Sequence, residues 1–177
     1  MHDFDERLER ATARISQTYF QLPVAGREAP IYRERVYCYE LYHQLRHNWP
    51  EYGYFLSGEI DKAGHPVIRH GYIAKSKPDF LIHVPEDMDN FAAIEVKPIN
   101  GTSAGVQKDI RTLVAFLDHA NYERALYLIY GDAEKGKALV SAQRQLLAQN
   151  LEGRVELWHH SKPGQPAAKI AVARGNV

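Results

Sequence analysis

The sequence predicts an α/β fold, a central mixed β-sheet flanked by helices in a three-layer α/β/α arrangement. Three stretches predict it. Phe80–Val84 and Phe91–Val96 are short apolar runs separated by the acidic, turn-prone segment Pro85–Asn90, the pattern of two strands joined by a hairpin-like loop. Directly after them, Val106, Ile110, Leu113, Val114 and Leu117 recur at helical spacing. The almost wholly apolar run Arg124–Tyr130 then reads as a strand buried on both faces. A strand–helix–strand unit placed after an antiparallel start makes the sheet mixed.

In chain order, residues 3–19 read as one helix on Phe4, Leu8, Ala11, Ile15 and Tyr19, and Gln21–Pro30 as a loop. Residues 31–48 give the strongest helical signal. Val36, Tyr37, Leu41, Gln44 and Leu45 share one broad side, with Glu40 in its middle. A carboxylate centred on a packing face must offset its desolvation with a partner or a cation. The alternative is a Glu40 that snorkels, or pairs with Arg33 or Arg46. Pro50 and Gly53 end this helix. Tyr54–Ile60 and Pro66–Tyr72, around the turn Asp61–Gly64, predict a β-hairpin, and Lys75–Pro78 a short basic connector. Beyond the two central strands, Ser103 would cap a helix at about 104–119. Ala133–Asn150 reads as a further helix and Arg154–His159 as an outer strand. Residues 161–177 read as a weakly ordered tail with a short strand at Lys169–Val172. The expectation is one domain over residues 1–177, with its core at about 31–130 after an N-terminal helix and loop at 1–30.

Composition narrows the classes of function. Lys plus Arg equals Asp plus Glu, 22 each, so no global field draws the chain to nucleic acid and any such binding needs a local patch or a metal. Cys38 stands alone, which excludes an intramolecular disulfide and suits a reducing compartment. No apolar run approaches the roughly 18–20 residues that span a bilayer, and the acidic start MHDFDERLER does not resemble a signal peptide. The expected location is cytoplasmic, with no membrane partner.

The chemistry concentrates at residues 78–97. Asp79 opens the first central strand, and Glu95 and Lys97 sit two apart on the second. Side chains alternate along a strand, so Glu95 and Lys97 point one way and Ile94 and Val96 the other. Hydrolysis of a phosphodiester needs an activated water and neutralisation of the charge developing on phosphate, and a hard divalent cation supplies both. Mg²⁺ takes one or two carboxylates and keeps several waters. Asp79 and Glu95 supply that number, the Val96 carbonyl would add an oxygen, and Glu40 would be a further ligand, direct or through water. Lys97 would position or deprotonate the attacking water or stabilise the transition-state charge. The plainer alternative is a salt bridge from Lys97 to Asp79 or Glu95 at the sheet edge.

These residues resemble the signature of the PD-(D/E)xK nuclease superfamily, the restriction-endonuclease-like fold. Here it reads Pro78-Asp79, fifteen residues, then Glu95-Val96-Lys97. The resemblance covers residues 31–130. It implies Asp79 and Glu95 as metal-ligating acids, Lys97 as the catalytic lysine, Glu40 as the additional acid on the first core helix, and Mg²⁺ (Mn²⁺ as substitute) as cofactor. It also implies a polar residue early in the helix after the second strand, for which Gln107 and Lys108 are the candidates. The implied activity is metal-dependent cleavage of DNA, in repair, restriction, mobile-element or defence work. The competing expectation is a catalytically inactive module of the same fold that binds nucleic acid or a protein. At this length, target choice would come from a partner protein or a homodimer.

Other residues carry weaker signals. Arg33, Arg35, Arg46, Lys75, Lys77, Lys108 and Arg111 would form a basic rim for phosphates, or simply a solvated face. The paired histidines His43 with His47 and His159 with His160 lack the company of a zinc site. His70 and His83 lie near the candidate site in sequence, and read more readily as strand histidines than as members of it. Tyrosines cluster between Tyr32 and Tyr54, where they would pack a core or stack on bases.

Overall fold

In the computed structural model, residues 3–47, 49–50, 53–58, 76–87, 89–132 and 136–172 are described. They form α1 (Phe4–Ala13), α2 (Gln17–Phe20), α3 (Glu34–His47), β1 (Phe55–Gly58), β2 (Phe80–His83), β3 (Asn90–Pro98), α4 (Ser103–His119), β4 (Tyr122–Tyr130), α5 (Lys137–Ala148), β5 (Val155–His160) and β6 (Ala168–Ile170). The six strands make one open sheet in chain order, β1-β2-β3-β4-β5-β6. β1–β2 and β2–β3 pair antiparallel, β3–β4 and β4–β5 parallel, and β5–β6 antiparallel. The sheet is therefore mixed, as the strand–helix–strand unit requires.

Each face of the sheet is covered. Ile82, Ala92, Ile94, Val96, Leu126 and Leu128 pack with Phe4, Leu8, Tyr37 and Leu41 of α1 and α3. Ala93, Ala125, Tyr127, Ile129 and Leu157 pack with α4 and α5 through Val106, Ile110, Leu113, Phe116 and Ala142. Alternation along β3 thus sends Ile94 and Val96 to the α1/α3 layer, and Ala93 to the α4/α5 layer. Among the described residues no helix is long and apolar enough to cross a membrane.

Several expectations change at the ends of elements. The predicted helix at 3–19 breaks at Arg14–Ser16. Ile15 and Phe20 are both buried, yet five residues apart on one straight helix they would lie roughly 140° apart around its axis. The break resolves that conflict. α3 starts at Glu34, because Ile31 instead forms a bridge with Leu22. α4 is capped by Thr102, whose Oγ1 accepts from the Gly105 N–H at 3.1 Å, while Ser103 faces the Ser141 hydroxyl at 2.9 Å. Residues 161–172 are tied down: the Gly164 N–H donates to the Ile15 carbonyl, Ala167 is buried with its N–H on Thr12 Oγ1 at 2.8 Å, and β6 pairs with β5. The predicted strand Pro66–Tyr72, its turn and Lys75 lie outside the described residues. β1, the described part of that hairpin, pairs with β2.

Candidate active site at the end of the central strands

The site is made by a mismatch in strand length. The last pair between β2 and β3 is Phe80 with Ile94, but β3 runs on to Pro98 alongside β4. Among the described strands, Glu95 to Pro98 therefore have a partner on one side only, and a notch lies where β2 has ended. One further step of the antiparallel register places Asp79 beside Glu95. The Val96 N–H, left without a strand partner on that side, donates to Asp79 Oδ2 at 2.7 Å. In a strand the N–H and C=O of one residue share an edge, so the Val96 carbonyl faces the notch too.

Lys97 crosses this notch. Its Nζ lies 2.8 Å from Glu34 Oε2 and 3.0 Å from Asp109 Oδ2. Tyr127, opposite Glu95 on β4, donates its hydroxyl to Asp109 Oδ2 at 3.2 Å. Gly101 leaves room for the lysine stem, since a Cβ there would come within 2.7 Å of Lys97 Cγ and 2.8 Å of Cδ. Four carboxyls, Glu34, Asp79, Glu95 and Asp109, thus surround one ammonium.

Burial sets the electrostatics. Glu95 is 8% exposed and Asp109 5%. Burial pushes the Asp79 carboxyl up to about 7, opposed by the Val96 N–H and Lys97 and reinforced by Glu34 and Asp109. Glu95 is pushed well above the usual carboxylate range, by burial first and then by the neighbouring Asp79 and Asp109 charges. The adjacent pair Asp79–Glu95 therefore holds a proton in a setting that a cation would relieve. Burial alone would draw the Lys97 amine down. The Asp109 and Glu34 carboxylates outweigh it, and the amine is raised above its ordinary value. Asp109 is itself raised by burial, against the pull of Lys97 and Tyr127.

Among the predicted residues, Asp79, Glu95, Val96 and Lys97 come together here. Glu40 does not join them: it is half-buried and accepts from Gln44 Nε2 at 2.7 Å. The acid that α3 sends to the site is Glu34. The buried face of α3 carries Tyr37, Leu41 and Leu45, and Glu34 extends that stripe one turn back, whereas Glu40 lies about a third of a turn away from it. The spacing 34-37-41-45 was the available signal, hidden because Glu34 looks like an ordinary acid in the first turn of a helix. Gln107, Lys108 and Arg111 lie on the exposed side of α4, and Asp109 is the residue turned inward. Its signal was also spacing, since Val106, Asp109, Leu113 and Phe116 form one buried row. Lys77 is exposed, and Lys75 and His70 lie outside the described residues.

Two clefts flank the start of α3, the first of them reaching Asp79. One of about 350 Å³ is lined by Cys38, Tyr39, Tyr42, Gly58, Asp79 and Phe80. The other, of about 480 Å³, includes Gln21, Arg27, Arg33 and Asn100. Among the described residues neither Arg27 nor Arg33 has an ion-pair partner.

No protein-family model matches this chain, and no curated protein matches it in sequence.

The donor set fits a hard divalent cation. Among the described residues no group of three or more His, Cys, Asp or Glu side chains could hold a metal by itself. Mg²⁺ does not need one, because it takes one or two carboxylates and completes its shell with water and phosphate. Asp79, Glu95 and the Val96 carbonyl offer that kind of partial shell. His83 is taken up by Ser57, with Nε2 3.3 Å from Oγ, and His160 is buried against the Tyr37 hydroxyl at 2.7 Å.

Proposed function

We propose that this protein is a metal-dependent nuclease hydrolysing phosphodiester bonds in DNA, on a restriction-endonuclease-like version of its α/β fold, as a member of the PD-(D/E)xK superfamily. The observation that carries the reading is the juxtaposition of Asp79 and Glu95 at the notch beside β3, with Lys97 held over it. A structural ion pair would need one acid for one lysine. Here Glu34 and Asp109 both contact one ammonium and Asp79 and Glu95 lie beside it, more acid than one lysine neutralises and costly to keep buried and ionised unless something positive visits the site. The order of elements gives further support: a helix carrying an acid, an antiparallel meander carrying the Asp and the Glu-x-Lys, a helix, and a parallel strand.

Asp79 and Glu95, with the Val96 carbonyl, would hold Mg²⁺ or Mn²⁺. A cation bound there supplies charge neutralisation at phosphate and a more acidic water. The chain's own residues do the rest. Two carboxylates keep the Lys97 amine charged, so its part is to stabilise negative charge developing on the phosphate oxygens, not to abstract a proton. Glu34 and Asp109 fix where that ammonium points, and Tyr127 fixes Asp109. The Val96 N–H fixes the Asp79 carboxylate.

The test is direct. Purified protein is incubated with plasmid, linear, single-stranded and RNA substrates in Mg²⁺ or Mn²⁺, beside Lys97→Ala. Cleavage that needs the cation and drops at least a hundredfold in Lys97→Ala supports the reading. If nothing is cut, or the variant cuts as well as the natural chain, the reading fails.

A further inference from the structure

We propose that the cleft beside Asp79 receives one unpaired base of a DNA strand, so that the strand enters the site single-stranded. The choice of DNA rests on the nuclease reading above, whereas the cleft argument rests on its own geometry.

One helix lines three zones in succession. Arg33, just before α3, faces the cleft that also holds Arg27 and Asn100. Glu34, the first residue of α3, meets Lys97. Cys38, Tyr39 and Tyr42, one to two turns on, line the cleft that reaches Asp79. A path along α3 therefore runs from guanidinium groups, past the acids and lysine, to aromatic rings. A nucleotide has the same sequence of chemistries, with a phosphate at one end and a flat apolar base at the other.

The aromatic end suits a base and not a phosphate. Among the described residues its lining includes no cation, and the charged group there is the Asp79 carboxyl. Tyr39 is 64% exposed at its mouth, a large ring that packs against little else. The half-buried Tyr42 ring lies nearly parallel to the buried Phe80 ring, 14° apart with centroids at 6.3 Å, which fixes the orientation of an aromatic wall in the cleft. Gly58 keeps one wall open: a Cβ there would project into ordinary contact distance, 3.7 Å from the Asp79 carbonyl and 3.8 Å from Tyr42. At about 350 Å³ the cleft falls at the small end of ligand sites, suited to a single nucleoside and not to a duplex. A base inside a duplex has both faces covered by its neighbours, so only an unpaired one can enter without the cost of extrusion.

A short fluorescein-labelled oligodeoxynucleotide, alone and annealed to its complement, is titrated by anisotropy in chelator, where it is not cut. The expectation is tighter binding of the single strand. Tyr39→Ala should weaken it about five- to hundredfold, Tyr39→Phe should largely restore it, and Gly58→Val, which fills the cleft, should weaken it similarly. Duplex affinity should hardly move. Duplex binding as tight as single-strand binding overturns the proposal, as does a single-strand affinity unchanged in both Tyr39→Ala and Gly58→Val. Cleavage in Mn²⁺ is scored separately. A protein that cuts duplex and ignores both variants keeps the nuclease reading and loses this one. A protein that binds the single strand through Tyr39 and cuts nothing does the reverse.

Discussion

Among the described residues, Lys97 is the cation set among Glu34, Asp79, Glu95 and Asp109, and its contacts with Asp109 and Glu34 are both at hydrogen-bond distance. Removing one partner of a buried pair leaves the other desolvated and unpaired, which costs about 3–5 kcal/mol. Lys97→Ala should therefore lose stability at neutral pH, toward the lower end of that range because Glu34 is partly exposed. The loss should shrink in acid, where the carboxyls are protonated and no longer need the amine. Urea unfolding at about pH 5 and about pH 8 checks both statements. Gly101 tests the same lysine from the other side. A methyl at Gly101 must push the flexible Lys97 stem aside, so on the proposed nuclease reading Gly101→Ala should lower cleavage roughly tenfold or more while shifting the melting temperature by only a few degrees. A melting temperature that collapses along with activity would count against a purely local effect.

Elements far from the notch hold it in place. α1 docks on the sheet through Phe4 and Leu8, both fully buried, and Arg124 of β4 binds Asp5 of α1 and Glu156 of β5 while lying over the Phe4 and Phe91 rings. Thr12 joins α1 to the C-terminal segment: its hydroxyl donates within the helix and accepts from the Ala167 N–H. Thr12→Val keeps the shape and leaves that buried N–H without a partner, so it should cost about 1–3 kcal/mol in denaturant unfolding. At the far end of β5, His160 is buried beside Tyr37, and burial lowers its pKa from 6.5 to about 4. The unfolded chain then binds a proton more tightly than the folded one, so stability is full above about pH 6.5 and falls as the pH drops toward 4. About 3 kcal/mol of acid sensitivity should follow from this group, and His160→Phe should remove most of it, whatever it costs at neutral pH. An unchanged acid slope in that variant would mean His160 titrates normally.

At the scale of the molecule, the charge is balanced overall and unbalanced locally. The natural chain has 22 cations and 22 anions, yet the notch gathers four acids around one lysine. Asp79 and Glu95 have raised pKa values, so the folded state holds protons that the unfolded chain releases near pH 4. The Asp79 contribution is present at low pH and is lost as pH rises through about 7, and that of Glu95 is likewise lost as pH rises. A divalent cation held as proposed would compete with those protons and bind better as they leave. Mn²⁺ should therefore raise the melting temperature more at about pH 8 than at about pH 5, and Asp79→Asn should flatten that difference. Thermal melts in Mn²⁺ and in chelator measure it, and an equal Mn²⁺ effect at both pH values would sink the assignment.

Local pattern by itself determined most of the architecture. The short apolar runs Phe80–Val84 and Phe91–Val96, the helical stripe from Val106 to Leu117 and the doubly apolar Arg124–Tyr130 each define an element, because burial of a segment leaves its pattern in the chain. The pairing of Glu95 with Lys97 on one side of a strand was likewise legible, since alternation is local geometry. Tertiary structure decided what surrounds them. Whether Glu34 or Glu40 turns inward depends on which side of α3 meets the sheet, and a rotation of roughly a third of a turn exchanges one for the other. Asp109 becomes a partner of Lys97 only because α4 packs back over β3 and β4. The break at Arg14–Ser16 and the anchoring of residues 161–172 on Thr12 join parts of the chain some 155 residues apart, and no local period records a contact of that range.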